Sequence, residues 1–182
     1  VSSVEKAQGK ASTPINIGIV IDRSGSMSGA RINNAIAGGV AALEKAREGD
    51  TVSLVTFDDT ARVDVAPTVV SSETRGSIER AIRNVRVGGG TCLSCGIETS
   101  MRAMLNSRHG NDLAVNRMVV LSDGAANVGV QDIRGLRAIA ARSRDNGVPI
   151  STIGVDLDFD ERVMTAIANE ANGKHHFVSN AS

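Results

Sequence analysis

Hydrophobic positions along this chain fall into short dense blocks separated by longer stripes of helical period. Pro14 opens the block Ile15-Asn16-Ile17-Gly18-Ile19-Val20-Ile21, whose β-branched density and shortness predict a strand buried on both faces. The polar stretch Asp22-Arg23-Ser24-Gly25-Ser26 ends it. Ile32, Ile36, Val40 and Leu43 then form one stripe at near-3.6 spacing and predict a helix. Thr51 to Phe57 reads as a second strand, Asp58-Asp59-Thr60 as a tight turn, and the alternating Ala61, Val63 and Val65 as a return strand, together a hairpin. Ile78, Ala81, Ile82 and Val85 mark a helix that Gly88-Gly89-Gly90 breaks. Ile97, Met101, Met104 and Leu105 mark the next. Met118 to Leu121 predicts a short buried strand ending at Ser122-Asp123-Gly124. Ile133, Leu136 and Ala140 predict a helix, Pro149 to Val155 a strand, Val163, Ala166 and Ile167 a last helix, and Lys174 to Val178 a final strand.

Strands alternating with helices imply an α/β fold, a mostly parallel six-stranded sheet with helices on both faces. The hairpin supplies one antiparallel edge strand. Val1 to Thr13 is small, polar and charged and reads as a flexible leader, so we expect residues 1–13 to precede a single domain over 14–180.

Composition narrows the function. Twenty Lys and Arg balance twenty Asp and Glu, for a formal charge of zero among 182 residues, which argues against nucleic acid and against a general anionic-membrane surface. Three Phe with no Tyr or Trp leave little for base stacking or aromatic ligand platforms. No apolar run approaches the roughly 20 residues of a membrane helix, so no direct membrane insertion by this segment is expected. The chain begins at Val1 without a signal-peptide pattern, and we expect a processed chain or a piece of a longer protein.

In open α/β sheets, ligands bind beyond the carboxyl ends of the strands, where strand order reverses. The residues there are Asp22, Ser24 and Ser26 after the first strand, Asp123 after Met118–Leu121, and Thr91 in the loop that the glycines make pliable. All offer oxygen. Two carboxylates and three hydroxyls suit Mg²⁺ or Mn²⁺ rather than zinc or copper, with Ca²⁺ as a further candidate. Asp22, Ser24 and Ser26 alternate and so point one way in an extended chain, with Gly25 relieving crowding and allowing a bend. Singly, these pieces are ordinary: a polar loop, a turn, a helix N-cap. Their joint placement at strand ends points to a cation with an open position, shared with an acidic side chain of a partner protein.

On these residues the chain resembles the von Willebrand factor type A domain, also found as the inserted domain of integrins, over about Ile15 to Val178. The metal-ion-dependent adhesion site of that family, Asp-x-Ser-x-Ser with a distant Thr and a distant Asp, is matched by Asp22, Ser24, Ser26, Thr91 and Asp123. The form Asp22-Arg23-Ser24-Gly25-Ser26-Met27 looks more like bacterial members than integrins. The resemblance implies a doubly wound, Rossmann-like sheet with the site at its top. It implies that Ser24, Ser26 and Thr91 ligate the ion directly, and Asp22 and Asp123 directly or through water. It further implies a divalent-metal-dependent protein-binding module that is not an enzyme, whose ion completes its shell with a partner Asp or Glu, and whose last helix often moves on binding.

Other residues carry less. Cys92 and Cys95, beside Thr91 at a helix start, read as a buried packing pair, as a local disulfide stiffening the Thr91 loop, or as reactive thiols; zinc would need a second ligand pair. His175 and His176 face opposite sides of a strand, and these two and His109 read as structural or solvent-facing. Asp58, Asp59, Asp156 and Asp158 lie at strand ends, with Asp58 and Asp156 the closest candidates to the site. Asn180-Ala181-Ser182 fits a glycosylation sequon. No nucleophile elbow, phosphate-binding loop or dinucleotide fingerprint is present. A phosphotransferase using Asp22, and an intracellular assembly factor paired with an ATPase or chelatase, are the alternative functions. The location is not written in the chain; the bacterial motif and the cysteine pair lean toward an extracytoplasmic or membrane-tethered parent.

Overall fold

The computed structural model describes residues 13–107, 115–156 and 160–178. Six strands, β1 (Ile15–Asp22), β2 (Thr51–Phe57), β3 (Ala61–Val69), β4 (Val115–Ser122), β5 (Ile150–Gly154) and β6 (Asn172–Phe177), form one sheet in the order β3-β2-β1-β4-β5-β6. All neighbours run parallel except the β2–β3 hairpin. Among the described residues, five α-helices connect them: α1 (Ala30–Lys45), α2 (Arg75–Arg83), α3 (Leu93–Asn106), α4 (Ile133–Asp145) and α5 (Glu161–Glu170). The expected fold class is present. The leader falls almost wholly outside the described residues, as do His109, Asp158 and the sequon.

The apolar density of β1 follows from burial on two sides. Ile17, Ile19 and Ile21 face one core with Leu43 of α1 and Ile78 and Ile82 of α2, whereas Val20 faces the other with Phe57, Ile97, Met104, Leu136 and Ile167. Two glycines bring α3 close to the sheet. A Cβ at Gly96 would collide with the Phe57 ring, and one at Gly18 with the Met104 thioether. Helix α3 is thereby seated so that the loop before it, carrying Thr91, lies over the strand ends.

Three elements depart from the sequence reading. The return strand runs on to Val69, and its simple alternation is broken. Opposite β2, the register passes from Leu54↔Val65 to Val55↔Val63, one residue against two, which makes Asp64 the extra residue of a bulge. The bulge switches faces, so Ala61 packs on one core, Val65 on the other, and Val63 is 42% exposed. Strand β4 starts three residues earlier than its apolar run, because the polar Asn116 is buried and paired: Asn16 Nδ2 donates to Asn116 Oδ1 at 3.2 Å and to the Met104 carbonyl at 3.2 Å. Strand β6 starts at Asn172, two residues before the expected Lys174, on a sheet edge where polar residues are tolerated.

Candidate functional site

Strand order reverses between β1 and β4, and both strands end in oxygen-bearing residues. Asp22 closes β1, Ser122 closes β4, and Asp123 follows. Asp22 is fully buried. Its Oδ1 accepts from the Ser24 amide at 2.9 Å and its Oδ2 from the Ser122 hydroxyl at 2.7 Å. Burial pushes the Asp22 carboxyl up to about 6; hydrogen bonds from Ser24 and Ser122 oppose the rise, and the like charge of Asp123 adds to it.

The chain then turns through a single 3-10 turn, Gly25–Met27, pinned from below by the buried Met27. Ser24 and Ser26 do come together, with Oγ atoms 3.1 Å apart. They do so because of this turn, not through extended alternation. Gly25 also works differently from expectation. A Cβ there would make ordinary 3.6 Å contacts with the Gly88 and Gly89 carbonyls, and the left-handed glycine of the loop is Gly29, with φ 80°. What Gly25 contributes is its amide, which donates to the Gly89 carbonyl at 2.8 Å. The Ser26 hydroxyl donates to Asp123 Oδ2 at 2.5 Å, closing a chain from Ser24 through Ser26 to Asp123, which is 3% exposed.

The glycine loop is clamped onto this turn by backbone and by the hairpin tip. The Gly88 amide donates to the Arg23 carbonyl at 2.6 Å. Asp58 accepts from Arg23 Nη2 at 2.6 Å, and Asp59 Oδ1 accepts from the Gly90 amide at 2.9 Å. Burial nudges Asp58 upward, but the amides of Thr60 and Gly89 and the Arg23 guanidinium outweigh it and hold its carboxyl below the ordinary value. Buried Thr91 is fixed by its backbone: its amide donates to Asn127 Oδ1 at 2.7 Å, and its carbonyl accepts from the Asn127 and Val128 amides at 3.0 Å each. Thr91 is not the helix cap. Cys92 is, its sulfur accepting from the Cys95 amide at 3.3 Å. Of the readings open for the cysteines, the structure joins Cys92 to Cys95 in a disulfide, with Cys92 also buried. The Val130 amide donates to Ser94 Oγ at 3.1 Å, so the loop after Asp123 rests on the disulfide turn.

Sequence reasoning passed over three residues here. Ser122, within the Ser-Asp-Gly turn, orients Asp22. Asn127 holds Thr91, and no local pattern announces it. Arg31, at the start of α1, donates to Asp156 Oδ2 at 2.9 Å and to the Ser26 carbonyl at 3.0 Å, and lies 3.6 Å from Asp123 Oδ2. Its signal was a positive charge in the first turn of a helix, where local electrostatics disfavours one. Asp156 thus approaches the site through Arg31. His175 is turned away from the strand ends into a hydrogen bond with Thr152 Oγ1 at 2.9 Å, and its neighbour His176 is exposed. Among the described residues, no group of three or more His, Cys, Asp or Glu side chains is arranged to hold a metal, so a cation here would depend on the hydroxyls.

A mostly parallel α/β sheet with the hydroxyls of Ser24 and Ser26 and the carboxylates of Asp22 and Asp123 at its switch point defines the class of fold. The von Willebrand factor type A domain family matches residues 16–182, and the chain belongs to it. Among curated relatives it is 29% identical over 170 residues to the Escherichia coli protein YfbK, covering 92% of this chain and 29% of that protein. It is 25% identical to sll0103 of Synechocystis over 93% of this chain and 39% of that protein. The chain therefore spans well under half the length of these relatives. In fold it is similar to BatB of Bacteroides thetaiotaomicron (TM-score 0.75, 16% identity, 92% and 91% of the two chains covered). The three N-terminal domains of the pilus tip protein Mfa5 of Porphyromonas gingivalis match at TM-score 0.75 and 16% identity, with 90% and 47% covered. Domains of this family commonly mediate protein interactions. Among the described residues, no helix is long and apolar enough to cross a membrane.

Proposed function

We propose that this domain binds a partner protein through a divalent cation, Mg²⁺ or Mn²⁺, which takes an Asp or Glu side chain of the partner into its shell. The observation that carries this reading is the chain Ser24–Ser26–Asp123 lying against the buried, charge-costly Asp22. Two carboxylates sharing one low-dielectric spot repel each other, and a hard dication among them relieves both desolvation and repulsion. The donor set fits that ion: oxygen only, with neutral hydroxyls supplying part of it. Ser24, Ser26 and Thr91 would hold the ion, with Asp22 and Asp123 balancing its charge directly or through water. The bound ion supplies an electrophile for an outside carboxylate. The protein's own part is positional: Ser122 and the Ser24 amide orient Asp22, and Asn127 with the hairpin tip holds the Thr91 loop closed over the turn.

Titration calorimetry of the intact domain with MgCl₂ and MnCl₂ tests the reading. We expect saturable binding that EDTA reverses and that Asp123→Ala abolishes. Absence of binding by a folded domain for both ions refutes it.

A further inference from the structure

Helix α1 begins with Arg31 in its first turn and no acidic residue there to offset it. A positive charge at the positive end of a helix is locally unfavourable, so something outside the helix must hold it. Three oxygens do. Asp156 Oδ2 and the Ser26 carbonyl accept hydrogen bonds at 2.9 and 3.0 Å. Asp123 Oδ2 stands 3.6 Å from Nη1, within ion-pair range but beyond a hydrogen bond. The two hydrogen bonds anchor the guanidinium at the rim, and the third contact is electrostatic alone. The same Asp123 Oδ2 accepts the Ser26 hydroxyl proton, so Arg31 bears on the atom where two predicted ligands meet.

We propose that Arg31 is a counter-cation built into the site: it neutralises Asp123 in the metal-free domain and, as a fixed positive charge, opposes the incoming dication. This rests on the cation reading above and extends it to a residue outside the ligand set. Because the anchors to Asp156 and the Ser26 carbonyl do not involve Asp123, the guanidinium keeps its place when an ion enters and α1 need not move. The consequence is a weakened site, one that holds its ion firmly only when a partner carboxylate adds its own negative charge.

The test compares wild type with Arg31→Met, Arg31→Gln and Arg31→Lys, by calorimetry with Mg²⁺ and Mn²⁺ alone and by melting in EDTA. Removing the charge should tighten ion binding by about twofold to fivefold, as expected for one partly exposed ion pair. Arg31→Lys should stay near wild type. In EDTA at low salt the Met and Gln variants should melt below wild type, and added salt should narrow that gap. Weaker or unchanged ion binding in both neutral variants overturns the proposal, as does an unchanged melting temperature in EDTA. Weakening in all three variants would assign Arg31 to loop positioning and likewise overturn it. If wild type binds and the neutral variants do not tighten, only this inference fails. If neither wild type nor the neutral variants bind either ion, the cation reading itself fails and takes this with it.

Discussion

Replacing Asp22 by Asn separates the electrostatic cost of the site from its architecture. The carboxyl is fully buried, and burial raises it from 3.8 to about 6. A group raised in this way binds more protons folded than unfolded between those two values, so it destabilises the metal-free domain progressively as pH climbs through that window and fully above it. The difference corresponds to about 3 kcal/mol at most. The amide should recover much of this. Its oxygen can still accept from the Ser24 amide, and its N–H₂ can face the Ser122 hydroxyl, which is an acceptor as well as a donor. We expect Asp22→Asn in EDTA at pH 7.5 to be more stable than wild type by about 1–3 kcal/mol, a rise in melting temperature of about 2–10 °C for a domain of this size. The gap should close toward pH 4, where the wild-type carboxyl is protonated too. Saturating Mg²⁺ should reverse the order by stabilising wild type alone. Thermal melts followed by circular dichroism at pH 4, 5, 6 and 7.5 read all of this. A difference between the two proteins that does not vary with pH, or a less stable Asn variant in EDTA at pH 7.5, would refute the argument.

Two more outcomes follow from the way Thr91 is held. Thr91→Val removes the hydroxyl and keeps the backbone contacts to Asn127 and Val128, so melting in EDTA should be nearly unchanged while Mg²⁺ affinity drops by about tenfold or more, the loss expected for one good ligand interaction. Protein purified without reductant should show no free thiol when denatured, and converting both cysteines to Ser should cost about 2 kcal/mol, small because the bridge closes so short a loop; urea denaturation measures it.

Much of the architecture was legible because burial on two faces leaves a strong mark. The β-branched runs of β1 and β4 and the stripes on α1 and α3 could be placed nowhere but in the interior. The positions of Asp22, Ser24, Ser26 and Asp123 at strand ends were legible for a related reason, since an open sheet exposes its strand ends on one edge and polar residues that interrupt strands collect there. Thr91 follows no strand, and only the fold brings its loop against the Arg23–Gly25 turn. The β3 bulge was not legible. Inserting Asp64 reverses which side chains face inward, and only pairing with β2 defines that register. Nor was the early start of β4 legible, since buried Asn116 is affordable only once Asn16 lies beside it across the sheet.

From residue order alone came the alternation of strands and helices, the family resemblance, and the candidate set Asp22, Ser24, Ser26, Thr91 and Asp123. Those are local properties, periodicity and strand termini, and they survive without coordinates. Tertiary structure decided how the segments that carry these residues are held: a 3-10 turn pairing the serines, a glycine loop clamped by its amides, Ser122 and Asn127 as supports, and Arg31 set against Asp123. Such contacts join segments up to about a hundred residues apart, and hydrogen bonds and ion pairs of that reach depend on distances the fold alone creates.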